Sequence, residues 1–235
     1  MERALVMGGS SGIGEAVARA FAERGDDVVI TGRDETRLAE AVQRIGGKVT
    51  ARRLDGASAE EVTAFFAEDA SYDHLVLALS GGAGAGPFAT LDLDEVRGGF
   101  EAKVWPHLRI VQAALPRLTG SVTFVTASSA RAALPGTAGL AAINGALEAA
   151  VPPLATELAP LRINAVSPGV IDTPWWDALP AEQRAAMFAE HAAGLPVGRV
   201  GRPEDVAQAV LMAAANGFVT GQVIEVNGGL SLARG

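Results

Sequence analysis

The chain has 235 residues, of which 49% are hydrophobic, and this is enough to form one substantial core. Acidic side chains outnumber basic ones by 27 to 19, which gives a formal net charge of −8. No basic stripe is present, so we expect no binding to nucleic acid. The chain contains no cysteine and only three widely separated histidines, so we expect neither a disulfide nor a metal site.

The start of the chain and its most apolar segment bear on localisation. Met1, Glu2 and Arg3 lead directly into a strand pattern, without the longer apolar stretch of a secretory signal. The apolar segment 132–161 is interrupted by prolines and by polar residues, which argues against a membrane span. We therefore expect a soluble cytoplasmic protein that does not associate with membranes.

Short β-rich runs alternate with longer helical patterns from end to end, and no linker or repeat divides the chain. This alternation predicts a single Rossmann-type doubly wound α/β domain over residues 1–235, with a seven-stranded, mostly parallel sheet and helices on both faces. Several strands are continuously apolar, as a sheet covered on both faces requires. Strands are predicted near 3–7, 27–31, 48–53, 73–79, 121–127, 161–166 and 222–226. Helices are predicted near 12–24, 34–45, 58–68, 92–116, 140–158, 180–193 and 203–215.

A glycine-rich turn follows the first strand and reads Gly8-Gly9-Ser10-Ser11-Gly12-Ile13-Gly14. In a strand–turn–helix context, such glycines allow a tight turn, close approach of the backbone to a pyrophosphate and tight packing of the helix. The helix N-terminus then presents N–H groups to the phosphates. The turn therefore predicts a dinucleotide site with contacts from Gly8, Ser10, Ser11, Gly12, Ile13 and Gly14.

The end of the second strand indicates which dinucleotide is bound. Sites that prefer NAD place an acid there for the ribose 2′-hydroxyl, whereas this chain reads Thr31-Gly32-Arg33. Because a guanidinium donates paired hydrogen bonds to phosphate, Arg33 favours NADP(H) over NAD(H). A solvated surface arginine is the alternative interpretation of Arg33, and Asp34 could pair with it or take the role of the acid.

Together with further motifs, this turn resembles the short-chain dehydrogenase/reductase family over almost the whole chain. The turn matches the family's Thr-Gly-x-x-x-Gly-x-Gly with Met7 in place of the threonine, and Arg162-Ile163-Asn164-Ala165-Val166-Ser167-Pro168-Gly169 matches the segment beside the nicotinamide. Two C-terminal segments, 201–207 and 220–223, also match, and the stretch of about 172–198 corresponds to the family's substrate lid. The resemblance implies further cofactor contacts from Asp55, Ser80, Gly81, Pro168, Gly169, Val170, Ile171 and Thr173.

The family's catalytic group is only partly present. Ordinary members use a serine, a Tyr-x-x-x-Lys pair and an asparagine on the preceding helix. Here Leu140 stands at the tyrosine position, Asn144 at the lysine position and Lys103 at the asparagine position. The serine is present as Ser128-Ser129, of which Ser128 is assigned to catalysis, and the single tyrosine, Tyr72, cannot be realigned to the site.

Because a leucine cannot transfer a proton, another group must replace the tyrosine if the protein is an enzyme. Lysine and asparagine have exchanged places relative to the family pattern. We therefore expect the ammonium of Lys103 to enter the family's catalytic cavity from the helix that normally carries the asparagine, with its pKa lowered by burial. The predicted catalytic residues are Ser128, Lys103 and Asn144. The alternative is that Lys103 reaches solvent or pairs with Glu101 or Asp94.

Other polar and aromatic residues allow two interpretations each. Arg131 could meet a substrate carboxylate or lie on the surface, and His107 is favoured as a helix-surface or interface residue. Trp175 and Trp176 could line an apolar pocket or serve packing. The alanine- and glycine-rich helix from Leu140 resembles the family's interface helix, which implies a homotetramer, with a dimer as the fallback.

These features predict an NADP(H)-dependent oxidoreductase that acts on a small-molecule carbonyl, imine or alkene through a non-standard proton donor. The alternative is a catalytically silent NADP(H)-binding sensor or scaffold, which the missing tyrosine favours and the retained serine opposes. A lyase or isomerase that uses the cofactor structurally is a third possibility.

Overall fold

The computed structural model describes residues 1–68 and 70–232, and a seven-stranded parallel sheet forms its centre. The strand order is β3-β2-β1-β4-β5-β6-β7, and every neighbouring pair is parallel. The predicted fold class is therefore confirmed. The strands are β1 (Arg3–Met7), β2 (Asp27–Gly32), β3 (Val49–Arg53), β4 (Tyr72–Leu77), β5 (Leu118–Val125), β6 (Arg162–Pro168) and β7 (Val223–Val226).

Eight α-helices lie within the described ranges. They are α1 (Gly12–Glu23), α2 (Glu35–Ile45), α3 (Ala59–Ala67), α4 (Leu93–Gly99), α5 (Trp105–Ala114), α6 (Ala138–Glu157), α7 (Ala181–Gly194) and α8 (Pro203–Ala215). The segment predicted as one helix over 92–116 contains a π-helical segment, Phe100–Val104, between α4 and α5. The predicted lid contains a short 3₁₀ turn, Pro174–Trp176, followed by α7.

Alternation along the strands creates two cores, one on each face of the sheet. In β1, Leu5 and Met7 pack with residues of α3, α5 and α6, whereas Ala4 and Val6 pack with residues of α1, α2 and α8. Successive strand residues point to opposite faces, so a strand buried on both sides must be apolar throughout. This accounts for the continuous apolar runs in the sequence.

The strand order reverses between β1 and β4, because β2 and β3 lie on one side of β1 and β4 to β7 on the other. In open α/β sheets, ligands bind at such a switch point, beyond the carboxyl ends of the strands. The glycine-rich turn after β1 and the loop after β4 meet at this point. Tyr72, in contrast, is the first residue of β4 and lies at the opposite edge of the sheet.

Several strand boundaries differ from the prediction by one to three residues, and two of these differences follow from pairing with a neighbouring strand. β5 begins at Leu118 rather than 121, because a register shift between Tyr72 and His74 allows Leu118 to pair with Tyr72. β6 continues to Pro168, which lies opposite Val226 of β7.

Among the described helices, α6 alone is long and apolar enough to cross a membrane, with a mean hydropathy of 1.2. This is weak evidence for a span, because Ile143, Leu147 and Val151 of α6 are completely buried against the sheet, as in a core helix.

Candidate active site

The turn after β1 has the geometry that a bound pyrophosphate requires. Gly8 has φ +81°, and a Cβ atom there would lie 2.7 Å from the carbonyl oxygen of Ala78. A side chain at Gly14 would collide with the carbonyl of Gly8, so α1 packs directly on the turn. Ser11 is the N-cap of α1, and its side chain makes no capping hydrogen bond. The N–H groups of the first turn of α1 are thus left for a ligand.

Thr173 lies close to this turn, although it is far away in sequence. A Cβ atom on Gly12 would lie 3.4 Å from the Cβ atom of Thr173. The chain reaches this position from Pro168 at the end of β6, through Gly169, whose amide donates to the carbonyl of Val226. The segment 168–173 and the glycine-rich turn therefore form two sides of one cleft, which fits a dinucleotide.

Arginine side chains surround the end of β2. Arg33 is exposed, and its side chain makes no hydrogen bond or ion pair with any described residue. Arg37 donates through Nη2 to Ser11 Oγ at 3.1 Å. Asp34 is the N-cap of α2 and accepts a 3.0 Å hydrogen bond from the amide of Arg37, so it forms no pair with Arg33. The positive charge at this edge suits a 2′-phosphate.

The remaining predicted cofactor residues lie on loops at the same edge of the sheet. Asp55 follows β3, is half-buried, and accepts a hydrogen bond from the amide of Ala57 at 3.0 Å. Ser80, in the loop after β4, is exposed. Gly81 lies against the π-helical segment, where a Cβ atom would be 3.2 Å from the Cβ atom of Lys103. Val170 and Ile171 are fixed by backbone pairing with Gly201.

Lys103 and Asn144 meet across the gap between their helices. Lys103 Nζ donates a 2.8 Å hydrogen bond to Asn144 Oδ1, and both residues are buried, with exposures of 6% and 4%. Asn144 Nδ2 in turn donates to the carbonyl of Leu140 at 2.9 Å. The alternative that Lys103 reaches solvent or pairs with Glu101 or Asp94 is wrong, because its side chain is buried and its ammonium binds Asn144.

Burial changes the pKa of two basic groups here, Lys103 of the pair and the neighbouring His107. It lowers the pKa of Lys103 to about 8, and the attraction of Glu148 only partly opposes this decrease. His107, one helical turn later, is completely buried and not at the surface, so the surface interpretation is wrong. Burial and the neighbouring Lys103 lower the pKa of His107 to about 3, and its ring stacks on Phe124 with centroids 6.0 Å apart. His107 is therefore neutral near pH 7, whereas Lys103 can exist in both protonation states.

The two serines after β5 differ in their partners. Ser128 is 2% exposed, and its hydroxyl donates to the carbonyl of Ser167 at 3.3 Å. Ser129 is half-buried, and its Oγ lies 3.4 Å from Asn144 Nδ2. The structure therefore brings Ser129, rather than the predicted Ser128, into hydrogen-bond contact with the Lys103–Asn144 pair. The sequence motif contains both serines, and only the backbone of the 3₁₀ turn Ser128–Ala130 distinguishes them.

A buried carboxylate beside the pair was not recognised from the sequence. Glu148 is 5% exposed and binds Arg131 Nε through Oε2 at 2.7 Å. Arg131 is exposed, as the surface interpretation predicts, and it pairs with Glu148, so it is not an unpaired group that awaits a substrate carboxylate. The spacing of Asn144 and Glu148, four residues apart on one helix, was the available signal, because residues at this spacing share a face.

Aromatic side chains of the lid segment lie near the loop after β4. Trp176 Nε1 donates to the carbonyl of Ile171 at 2.9 Å, and its ring packs edge-to-face against Trp175 and Phe188. Trp175 is 50% exposed, and a Cβ atom on Gly82 would lie 3.5 Å from its Nε1. Trp176 therefore has a packing role, while Trp175 leaves an apolar surface beside the loop.

Comparisons with known proteins identify relatives that match almost the whole chain. The family model described as enoyl-(acyl carrier protein) reductase matches residues 8–231. A short-chain dehydrogenase/reductase, ATR9, of Stachybotrys chlorohalonatus is 31% identical, with 97% of this chain and 96% of that protein covered. A cis-4-hydroxycyclohexanecarboxylate dehydrogenase of Sinomonas cyclohexanicum is 35% identical, with 96% and 95% covered.

A solved structure of a small-chain dehydrogenase in complex with NADPH superposes with a TM-score of 0.86 at 31% identity, and 99% of each chain is covered. The match thus extends over the sheet, the glycine-rich turn and the lid. The chain belongs to the short-chain dehydrogenase/reductase family of oxidoreductases.

Proposed function

We propose that this protein transfers a hydride between NADP(H) and a carbonyl, imine or alkene substrate, and that Lys103 gives or takes the accompanying proton. The observation that carries the proposal is the 2.8 Å hydrogen bond from Lys103 Nζ to Asn144. Asn144 also donates to the carbonyl of Leu140, the residue at the family's tyrosine position, and this supports a role for Lys103 near that position. Without Lys103, no described titratable side chain would contact Asn144, the residue at the family's lysine position.

The nicotinamide cofactor, when bound, supplies or accepts the hydride. The chain supplies the proton chemistry and the orientation. An ammonium has three N–H donors, and Asn144 accepts one of them, which leaves the others for a substrate oxygen or nitrogen or for a water. With a pKa of about 8, Lys103 is close to the operating pH, where general acid–base catalysis is most effective. The hydroxyl of Ser129 lies where it can orient the same substrate atom.

The preference for NADP(H) rests on Arg33. Its guanidinium is exposed at the end of β2 beside Arg37, whereas Asp34 is engaged as the cap of α2. A similar structure contains NADPH, which supports the same choice. Oδ1 of Asp34, the acid nearest in sequence to Arg33 at this position, accepts from the amide of Arg37 as the cap of α2.

The silent-binder alternative has less support. Burying an ammonium costs several kcal/mol unless it is well paired, and a protein that only binds a dinucleotide gains nothing from it. The geometry around Lys103, Asn144 and Ser129 is instead that of a site able to transfer a proton. No described residue other than Lys103 places a titratable side chain in hydrogen-bond contact with Asn144.

Two measurements on the wild-type protein test the proposal. Thermal unfolding with NADPH, NADP, NADH and NAD ranks the affinities, because a ligand of the native state raises its apparent stability. Loss of NADPH absorbance is then followed with cyclic ketones, imines and enones, including cyclohexanone carboxylates because of the Sinomonas relative. Greater stabilisation by NADPH and turnover of one substrate class are expected. Stabilisation without turnover across the panel would favour the silent binder, and greater stabilisation by NADH would contradict the assignment of Arg33.

We also propose a homotetramer, with a dimer as the fallback, in the cytoplasm. Only 33% of the apolar window of α6 is buried within the monomer. Ala142, Ala149, Pro152 and Pro153 leave an apolar face exposed, and exposed apolar patches mark interfaces. Light scattering combined with gel filtration distinguishes tetramer, dimer and monomer.

A further inference from the structure

Glu148 is the one buried carboxylate next to the site, among the described residues, that the proposed reaction does not use. Its Oε1 accepts hydrogen bonds from Thr126 Oγ1 and Ser167 Oγ, both at 2.8 Å. Its Oε2 accepts from Arg131 Nε at 2.7 Å. These donors come from the residue after β5, from the end of β6 and from the loop that follows the serines. One side chain of α6 therefore joins three separate segments.

Two of these donors flank the turn that carries the serines. Thr126 precedes Ser128 by two residues, and Arg131 follows Ser129 by two residues. Glu148 thus holds both sides of the Ser128–Ala130 turn against α6. The same turn places Ser129 Oγ at 3.4 Å from Asn144 Nδ2.

Glu148 also lies one helical turn after Asn144, so the two side chains share a face of α6. Asn144 receives the ammonium of Lys103, and the negative charge of Glu148 lies beyond it. No direct ion pair joins Lys103 and Glu148 within the described residues, and Asn144 separates them. The charges nevertheless attract, and this attraction raises the pKa of Lys103 against the effect of burial.

Among the described residues, few other titratable or charged groups surround Lys103, Asn144 and Glu148. His107 contacts the backbone carbonyl of Lys103 through Nδ1, one helical turn later. It is neutral near pH 7, because its pKa is lowered to about 3. Arg131 reaches Glu148 from the solvent side, where its side chain is 46% exposed. The protonation of Lys103 thus depends on burial, on Glu148 and, through Glu148, on Arg131.

We propose that Glu148 is a positioning residue of this site, whose carboxylate fixes the Ser128–Ala130 turn and keeps the ammonium of Lys103 protonated. The consequence for catalysis rests on the proposed function. The consequence for Lys103 does not, because it can be measured without turnover.

The chain has only two lysines, Lys48 and Lys103, and Lys48 is exposed, so it provides an internal control. In protein labelled with ¹³C,¹⁵N-lysine, the side-chain shifts report the titration of each lysine separately, and K103M assigns the signals. In E148Q we expect the titration midpoint of Lys103 to fall by about one pH unit, as removal of a nearby opposite charge requires. Lys48 is expected to be unaffected, and E157Q, at the exposed end of α6, serves as the matched control.

A second variant, which removes the positive partner of Glu148, should shift the midpoint of Lys103 in the opposite direction. An effect of opposite sign cannot be explained by damage to the fold alone. R131M leaves the carboxylate less neutralised, so it should raise the midpoint of Lys103 by a few tenths of a pH unit. R131M therefore also tests the proposal if E148Q does not fold. A midpoint of Lys103 that is the same in folded E148Q, in R131M and in the wild type would overturn the proposal.

Activity measurements separate this proposal from the proposed function. If E148Q shifts the titration of Lys103 and the pH–rate profile by the same amount, both proposals are supported. If K103M keeps full turnover while E148Q still shifts the midpoint, the role of Lys103 in catalysis is wrong and the electrostatic role of Glu148 stands. If the midpoint of Lys103 does not move in E148Q but K103M is inactive, the catalytic role of Lys103 stands and the electrostatic role of Glu148 is wrong.

Discussion

The ammonium of Lys103 and the amide of Asn144 form a buried hydrogen bond of 2.8 Å between the π-helical segment Phe100–Val104 and α6. The two residue types occupy exchanged positions relative to the family pattern, and the structure brings them into contact. π-Helical segments often occur at functional sites, because the wider turn redirects side chains. The following predictions test what this contact does.

The stability of the protein should depend on pH through Lys103. Its pKa is about 8 in the folded chain, against an ordinary value of 10.5 for a solvated lysine, so the unfolded chain binds more protons between these values. Wild-type stability should therefore rise with pH in this window by up to about 3 kcal/mol relative to K103M. Urea unfolding of both variants at pH 7, 8, 9 and 10 measures the difference. A difference that stays constant over this range would show that folding does not lower the pKa of Lys103.

The pH dependence of turnover should have opposite signs in the two directions. Reduction needs the protonated amine, so kcat/KM for reduction should fall as pH rises through about 8. Oxidation needs the free amine, so its kcat/KM should rise through the same pH. Initial rates from pH 6 to 10 in both directions check this. Flat profiles in both directions would indicate that another group moves the proton.

The serines should have separable roles. S129A removes the hydroxyl in contact with Asn144 and is expected to lower kcat/KM by about 10-fold, because one hydrogen bond contributes about 1 kcal/mol and about 1.4 kcal/mol corresponds to a tenfold change in rate. S128A removes a buried hydrogen bond to β6, so it should cost about 1 kcal/mol of stability with a smaller effect on rate. Steady-state kinetics and urea unfolding of both variants distinguish these effects. Inactive S128A beside active S129A would restore the assignment made from the sequence.

Arg33 should determine the choice of cofactor. R33A is expected to weaken NADPH binding by about 10- to 100-fold, because it removes charge-assisted hydrogen bonds to the 2′-phosphate. NADH binding should change little, since NADH has no such phosphate. Titration calorimetry with both cofactors measures this, and K48A, which removes an exposed cation elsewhere, is the matched control. Equal loss of affinity for both cofactors would mean that Arg33 acts through the fold of the turn.

The fold could be predicted almost completely, because it depends on patterns that are local in sequence. Continuous apolar strands alternating with helices specify a parallel sheet, and the turn Gly8–Gly14 specifies its first crossover. The π-helical segment could not be predicted, since one additional residue in a helical turn leaves little trace in the apolar periodicity. The burial of His107 likewise depends on Phe124, a residue of β5 that is distant in sequence.

The candidate site was predictable only where a residue's type limits its role. Leu140 cannot transfer a proton, and this alone directs attention to Lys103. The choice between Ser128 and Ser129 depends on backbone angles in the 3₁₀ turn, which the sequence does not encode simply. The partners of Glu148 lie up to 22 residues away from it in sequence, so they emerged only from the folded structure.

The most direct test of the central claim compares hydride transfer in K103M with that in the wild type, with K48M as the control lysine variant. The methionine preserves most of the side-chain volume while it removes the titratable group. We predict that K103M binds NADPH as tightly as the wild type by thermal shift, but loses at least about 100-fold in kcat/KM, the contribution typical of general acid–base catalysis. K48M should keep wild-type values of both. Full NADPH-dependent turnover by K103M on the substrate identified with the wild type would contradict the account.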